Sequence, residues 1–162
     1  MIEANRRALA RSHPAFWLST WFGAGLLPVA PGTWGSAAAL PFAWVIQTAG
    51  GWPALLAATV AVFLIGWWAA GVYVRVGGVD DPGSIVIDEV AGQWLVLLPA
   101  FPDPLLYAVG FLLFRALDIV KPWPASWADR YVKGGLGVML DDCLAAVYGM
   151  VAMALLAAWW GW

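Results

Sequence analysis

Charge is scarce in this sequence: Asp, Glu, Lys and Arg make up 11% of its 162 residues. Soluble domains carry about 25% charged and about 45–50% apolar residues, whereas this chain is 63% hydrophobic. Together with a mean hydropathy of +0.79, this is a membrane composition. Cysteine occurs once, as Cys143, which excludes an internal disulfide, a C-x-x-C pair and a cysteine-based zinc site. Histidine occurs once, as His13, outside every motif described below. The eight Lys and Arg form no basic stripe, which argues against nucleic acid as a partner. The net charge of −2 selects no partner.

What charge there is lies in blocks. Residues 37–74 and 143–162 hold none, and 90–114 hold only Asp103. A stretch as long as 37–74 exceeds one span of about 20 residues, and Gly50-Gly51-Trp52-Pro53 divides it. Phe101-Pro102-Asp103-Pro104 divides the later apolar region in the same way. The expected fold is therefore all-α and polytopic, one domain over residues 1–162. About five short transmembrane or partly inserted helices fall near 35–49, 53–74, 86–100, 104–117 and 143–160. Several are short for a full crossing, so tilt or partial insertion is expected. Arg6, Arg7 and Arg11 precede an apolar stretch without a small-x-small cleavage site, which reads as an uncleaved interfacial N-terminal segment. All Lys and Arg lie in 1–36, 75–89 or 115–142, so the positive-inside rule puts these three blocks on the cytoplasmic face. The thirteen tryptophans, including Trp159, Trp160 and Trp162, suit interfacial anchoring.

Seven of the ten acids border the apolar segments: Asp80, Asp81, Asp88, Glu89, Asp118, Asp141 and Asp142. A carboxylate beside hydrocarbon costs several kilocalories unless neutralised, and a hard divalent cation is the simplest neutraliser for a cluster. Asp88 and Glu89 lie about one turn into an apolar helix after the Pro82-Gly83 turn, with Ser84 as a candidate N-cap. Adjacent helical residues point about 100° apart, so one would bind an ion while the other orients water or a basic partner. A dipole-stabilising pair of acids is the plainer alternative. Asp141 and Asp142 open the last helix as either ligands or caps.

The remaining polar residues suit an anion. Arg115, Asp118 and Lys121 recur every three residues on one helical face, as a salt-bridge ladder or as a carboxylate for metal flanked by two cations for phosphate. Pro31-Gly32 turns the chain ahead of Thr33 and Ser36, which either cap a helix or donate to a phosphate at its N-terminus. Arg130 and Lys133 precede Gly134, Gly135 and Gly137, either a plain loop or a backbone able to approach a ligand closely. Several phosphate chemistries are absent. No Cys-x5-Arg exists, since Gly149 stands where the arginine would be, and there is no D-x-D-x-T/V and no motif histidine. Carboxylates, cations and hydroxyls remain, an inventory that suits Mg²⁺-assisted attack of water on a phosphate.

The motifs LPVAPGTWGS at 27–36, GSIVIDE at 83–89, FRALDIVKPWP at 114–124, DR at 129–130 and GGLGVMLDD at 134–142 resemble the phosphatidylglycerophosphatase A family in order and spacing. The family often has D-D-x-x-A-G where this chain continues Ala145-Ala146. The resemblance implies an all-helical, multi-pass phosphatase of the bacterial inner membrane. It would hydrolyse phosphatidylglycerophosphate to phosphatidylglycerol and phosphate with Mg²⁺, its site facing the cytoplasm. On that reading Asp88, Glu89, Asp118, Asp141 and Asp142 build the metal site. Asp118 and Asp142 are the preferred ligands, and Asp88 or Glu89 activates water or, in a covalent route, Asp88 or Asp118 attacks. Arg115, Lys121, Arg130 and Lys133 hold the phosphate, with Thr33 and Ser36 donating. The competing reading is a small ion-binding or transport protein, which would need polar residues along its spans. A phosphatase for another phosphomonoester is the third.

Overall fold

The computed structural model describes residues 9–78 and 82–160, so Arg6, Arg7, Asp80, Asp81 and Trp162 lie outside the described residues. The fold is all-helical, with six α-helices and no strand among the described residues. They are α1 (Pro14–Ser19), α2 (Pro31–Gly77), α3 (Ile87–Leu97), α4 (Pro104–Val120), α5 (Ala125–Tyr131) and α6 (Gly134–Trp160). α2 and α6 are long and apolar enough to cross a membrane.

The 47 residues of α2 are two helices joined at Gly51, whose φ of 66° and ψ of −165° only glycine adopts without strain. Val86 packs against Gly35 and the adjacent Ile87 against Gly66. Two points on α2 about equally far from Gly51 therefore meet one end of α3, so the halves lie side by side as a hairpin. The expected division at 50–53 corresponds to this turn. The second hairpin joins α3 to α4. Asp103 caps α4 by accepting from the Leu105 and Leu106 amides at 2.9 and 3.0 Å, and Pro104 fills the first turn where no amide donor is needed. Along it Leu97 meets Gly110, Gly92 meets Phe114, and Glu89 approaches Arg115.

α3 is 11 residues long, about 16 Å at 1.5 Å per residue and too short for a hydrocarbon core of about 30 Å. Its far end is tied to α2 through one buried side chain. Gln47 Nε2 donates to the Leu97 and Ala100 carbonyls at 3.0 and 2.9 Å, and Gln47 Oε1 accepts from the Tyr107 hydroxyl at 2.5 Å. The Leu97 and Ala100 carbonyls at the end of α3 thus find a donor inside the protein. Trp94 Nε1 adds a 2.9 Å bond to the Ala39 carbonyl. Outside this core, Val45, Val60, Leu105, Leu112, Val151 and Leu155 are all exposed.

Three local expectations are corrected. Ser84 does not cap α3; Val86 holds that position without a side-chain bond, and the Ser84 hydroxyl meets the Tyr73 hydroxyl at 2.9 Å. Thr33 and Ser36 do not cap α2 either, because the helix starts at Pro31 and the Ser36 hydroxyl donates to the Gly32 carbonyl at 2.9 Å. Gly134, Gly135 and Gly137 are no loop but the first turn of α6, so Asp141 and Asp142 lie in its third turn rather than at its N-terminus.

Of these glycines, Gly135 serves helix packing. A Cβ on Gly135 would collide with the Trp67 carbonyl and with the backbone of Gly71. Gly135→Ala is expected to push α6 off α2 and lower the thermal midpoint in detergent, at a cost of about 1–3 kcal/mol. Gly77→Ala, whose Cβ would meet nothing within 4 Å, should leave the midpoint within a degree or two. Equal midpoints for the two variants would refute this packing.

Candidate active site

Both hairpins and the start of α6 bring their charged ends together. From α3 come Asp88 and Glu89, from α4 Arg115 and Asp118, from α6 Asp141 and Asp142, and from the first turns of α2 Gly32 and Ser36. Asp88, Asp118, Asp141 and Asp142 are all buried, with at most 8% exposure. One carboxylate oxygen from each of Asp88, Glu89 and Asp142 lies within 4.8 Å of the others, a spacing that one cation could fill. Asp118 adjoins the group through Arg115, which lies 2.7 Å from Asp118 and 3.9 Å from Glu89. The helix-wheel expectation that Asp88 and Glu89 diverge is therefore too strict: two flexible side chains leaving one turn converge on a third acid from α6.

Two cations divide the acids between them. Arg115 Nη1 lies 2.7 Å from Asp118 Oδ2, 3.9 Å from Glu89 Oε1 and 3.3 Å from the Ser36 hydroxyl. Lys121 Nζ bonds Asp141 directly, Asp129 at 3.2 Å, and approaches Asp142 at 3.9 Å. The expected row of Arg115, Asp118 and Lys121 is thus broken after Asp118. Pro122 bars its predecessor from right-handed helix, and Lys121 takes a left-handed conformation (φ 45°, ψ 67°) that carries it to α6. Asp141 turns to Lys121 while its neighbour Asp142 turns to the α3 acids, so these adjacent acids have different surroundings.

The cradle depends on close approach. A Cβ on Gly32 would meet the Glu89 carboxylate and sit 3.2 Å from Arg115 Nη1, so a side chain there would have to displace the Glu89 carboxylate. Ala30, at φ 50°, sets the helix start one residue before Pro31. Thr33 is partly exposed in the same turn. Arg130 is exposed on α5 and pairs with none of the acids among the described residues. Lys133 is exposed and lines a small cleft with Asp129, Gly134, Gly137 and Asp141, beside the acids rather than among them. Two members of the site carry no expected role: Gly32 and Asp129. Asp129 stands in the DR motif at 129–130, but its pairing with Lys121 depends on α5 lying beside that lysine, which the motif does not show. Gly32 could be suspected from Pro-Gly at a helix start.

The phosphatidylglycerophosphatase A family model matches residues 17–157, a range containing every residue of this cluster. The chain belongs to that family. It is 42% identical over 147 residues to phosphatidylglycerophosphatase A of Escherichia coli, covering 90% of this chain and 84% of that protein. It is 36% identical over 149 residues to the Haemophilus influenzae protein of the same name, covering 91% of each. A Bacteroides thetaiotaomicron protein carrying the name of a phosphatidylinositol-3-phosphatase is 39% identical over 157 residues, covering 88% of this chain and 92% of that one. No solved structure matches the chain. This family member is a phosphatase of the phosphoric monoester class.

Burial alone would lower the Lys121 pKa, but its hydrogen bond to Asp141 and the charges of Asp141 and Asp142 outweigh it and hold the ammonium above the usual lysine range. A raised lysine pKa stabilises the fold fully below the unfolded lysine value and loses that effect only as pH climbs through the folded one. Lys121→Met should therefore lower stability by roughly 1.5–3 kcal/mol, leaving Asp141 buried beside no cation. A loss should be seen at both pH 7 and pH 9, since both lie below the unfolded lysine value. Thermal unfolding in detergent at both values checks this, and a loss confined to one pH would contradict the pairing.

Proposed function

We propose that this chain hydrolyses phosphatidylglycerophosphate to phosphatidylglycerol and phosphate with Mg²⁺ held by the acid cluster. It would act as one domain over residues 1–162, multi-pass in the bacterial inner membrane, with the site facing the cytoplasm. The observation that carries this reading is the charge imbalance of the cluster. Five carboxylates, Asp88, Glu89, Asp118, Asp141 and Asp142, converge on two cations, Arg115 and Lys121. A phosphate dianion would be repelled from such a place, so the site needs further positive charge before it can bind substrate. The donor set is all hard oxygen, which Mg²⁺ prefers. Glu89 Oε2 and Asp142 Oδ2 are buried with no hydrogen-bond donor among the described residues, as ligand atoms awaiting a cation would be.

Asp88, Glu89 and Asp142 would hold the ion, with Asp118 beside them. Bound there, Mg²⁺ supplies charge neutralisation and polarisation of a phosphoryl oxygen. Arg115, fixed by Asp118 and Ser36, faces the other phosphoryl oxygens and offsets charge as the phosphorus–oxygen ester bond breaks. Lys121 and the exposed Arg130 and Lys133 would guide the headgroup, and Thr33 and Ser36 would donate from the first turns of α2. Asp88 or Glu89 takes a proton from the attacking water, whose oxygen bonds to phosphorus while the glycerol oxygen leaves and gains a proton. The exposed apolar side chains of α2, α4 and α6 would lie in the acyl region, and the basic residues at this end support a cytoplasmic orientation.

The test is phosphate release from phosphatidylglycerophosphate in detergent by the purified protein, with Mg²⁺ or with EDTA. Release with Mg²⁺ and its loss in EDTA are expected; no release with Mg²⁺ would end the enzyme reading. Asp142→Asn and Asp118→Asn should each lower kcat at least about 100-fold. Relief of like-charge repulsion should keep the Asp142→Asn thermal midpoint at or above the parent value. Full activity in both variants would remove the proposed site.

A further inference from the structure

One fully buried polar side chain takes no part in the chemistry described so far. Gln93 on α3 has zero exposure, and neither its Nε2 nor its Oε1 has a hydrogen-bond partner among the described residues. The other buried amide of this core, Gln47, satisfies both of its ends. Burying a carboxamide without partners is unfavourable, so such groups call for a ligand.

Its place on α3 indicates which ligand. Gln93 follows Glu89 by four residues, which puts it about 40° around the helix and about 6 Å farther along the axis. On one side of that face, Val86 and Trp94 meet α2; on the other, Gly92 meets Phe114 of α4. Across the mouth of this wedge Arg115 reaches both Glu89 and Ser36. Arg115 Nε is itself buried without an acceptor among the described residues. One turn beyond Glu89, then, the Gln93 carboxamide on α3 leaves its N–H donors and its acceptor unmatched, and Arg115 on α4 leaves its Nε donor unmatched at the level of the acids. A carboxamide offers one acceptor and two N–H donors, the complement of an alcohol hydroxyl, which both donates and accepts.

We propose that Gln93 reads the substrate headgroup by hydrogen-bonding the hydroxyl on the carbon next to the phosphate ester. This deepens the proposed lipid phosphatase activity and rests on it. Phosphatidylglycerophosphate carries such a hydroxyl on the middle carbon of its terminal glycerol. An inositol 3-phosphate headgroup carries the same vicinal arrangement, so the subsite selects a polyol phosphate and does not by itself distinguish the two. A lipid lacking that hydroxyl would leave the buried amide unmatched, which is how polar sites reject analogues.

The decisive comparison uses two lipids in detergent micelles with Mg²⁺. One is phosphatidylglycerophosphate, and the other is its analogue with propane-1,3-diol phosphate in place of glycerol phosphate. The parent protein should favour the hydroxylated lipid in kcat/KM by about 10- to 100-fold. In Gln93→Leu and Gln93→Met that ratio should fall toward one. Thermal midpoints should stay at or above the parent value, because removing an unmatched amide costs the fold nothing. No discrimination by the parent, an undiminished ratio in either variant, or midpoints several degrees lower with equal loss on both lipids would each overturn the proposal. The last outcome would make Gln93 a structural amide. Release from neither lipid by the parent would instead overturn the activity on which the subsite depends.

Discussion

Repulsion among buried carboxylates is the constraint around which this molecule is built. Asp88, Glu89, Asp118, Asp141 and Asp142 come from three helices and meet at one end of a largely apolar bundle. In water they would separate. Here they cannot, because the backbones carrying them are locked elsewhere: α3 by Gln47 and Trp94 to α2, α6 by Gly135 to Gly71, and α4 by Phe114 to Gly92. The apolar packing holds the acids together, and the site in turn needs cations.

Arg115 and Lys121 provide part of that charge in different ways. Arg115 is a planar fork close to Asp118, Glu89 and Ser36, so it ties α4 to α3 and α2 at the mouth of the site. Lys121 is a point charge outside the helix, and it ties α4 to α5 and α6. Removing either would leave a helix end facing uncompensated acid. That makes these two side chains structural as well as suited to phosphate, and the two roles share one electrostatic origin.

Much of this was legible in the sequence. The charge-free runs and the Gly-Trp-Pro and Pro-Asp-Pro interruptions marked the hairpin turns, because a change of direction inside apolar sequence needs residues that leave the helix. The basic residues marked which ends belong together. Partnerships were harder to read. Helical periodicity set Arg115, Asp118 and Lys121 in one row, yet Pro122 displaced Lys121 to a neighbour on another helix. The role of the glycines at 134–137 was hidden because the close contact of Gly135 is with Trp67 and Gly71, distant in sequence. Spacing along one helix carries no information about what packs against it.

The unmatched polar atoms bear on the same question as the acids. A protein selected only for stability would have replaced Gln93 with leucine and at least one of the acids with an amide, since each change removes a buried group without its partner. Instead Glu89 Oε2, Asp142 Oδ2, Arg115 Nε and both ends of Gln93 are buried without hydrogen-bond partners among the described residues. Carboxylate oxygens call for a cation, an arginine nitrogen for an anion or hydroxyl, and a carboxamide for a hydroxyl. On the proposed reading, a phosphate ester on a hydroxyl-bearing carbon chain would meet all three demands together with a divalent ion. Pre-organisation of this kind would leave the groups costly until a ligand completes them. The acid cluster by itself would suit a plain ion-binding protein; the neighbouring arginine and amide are what turn it toward a phosphorylated lipid headgroup.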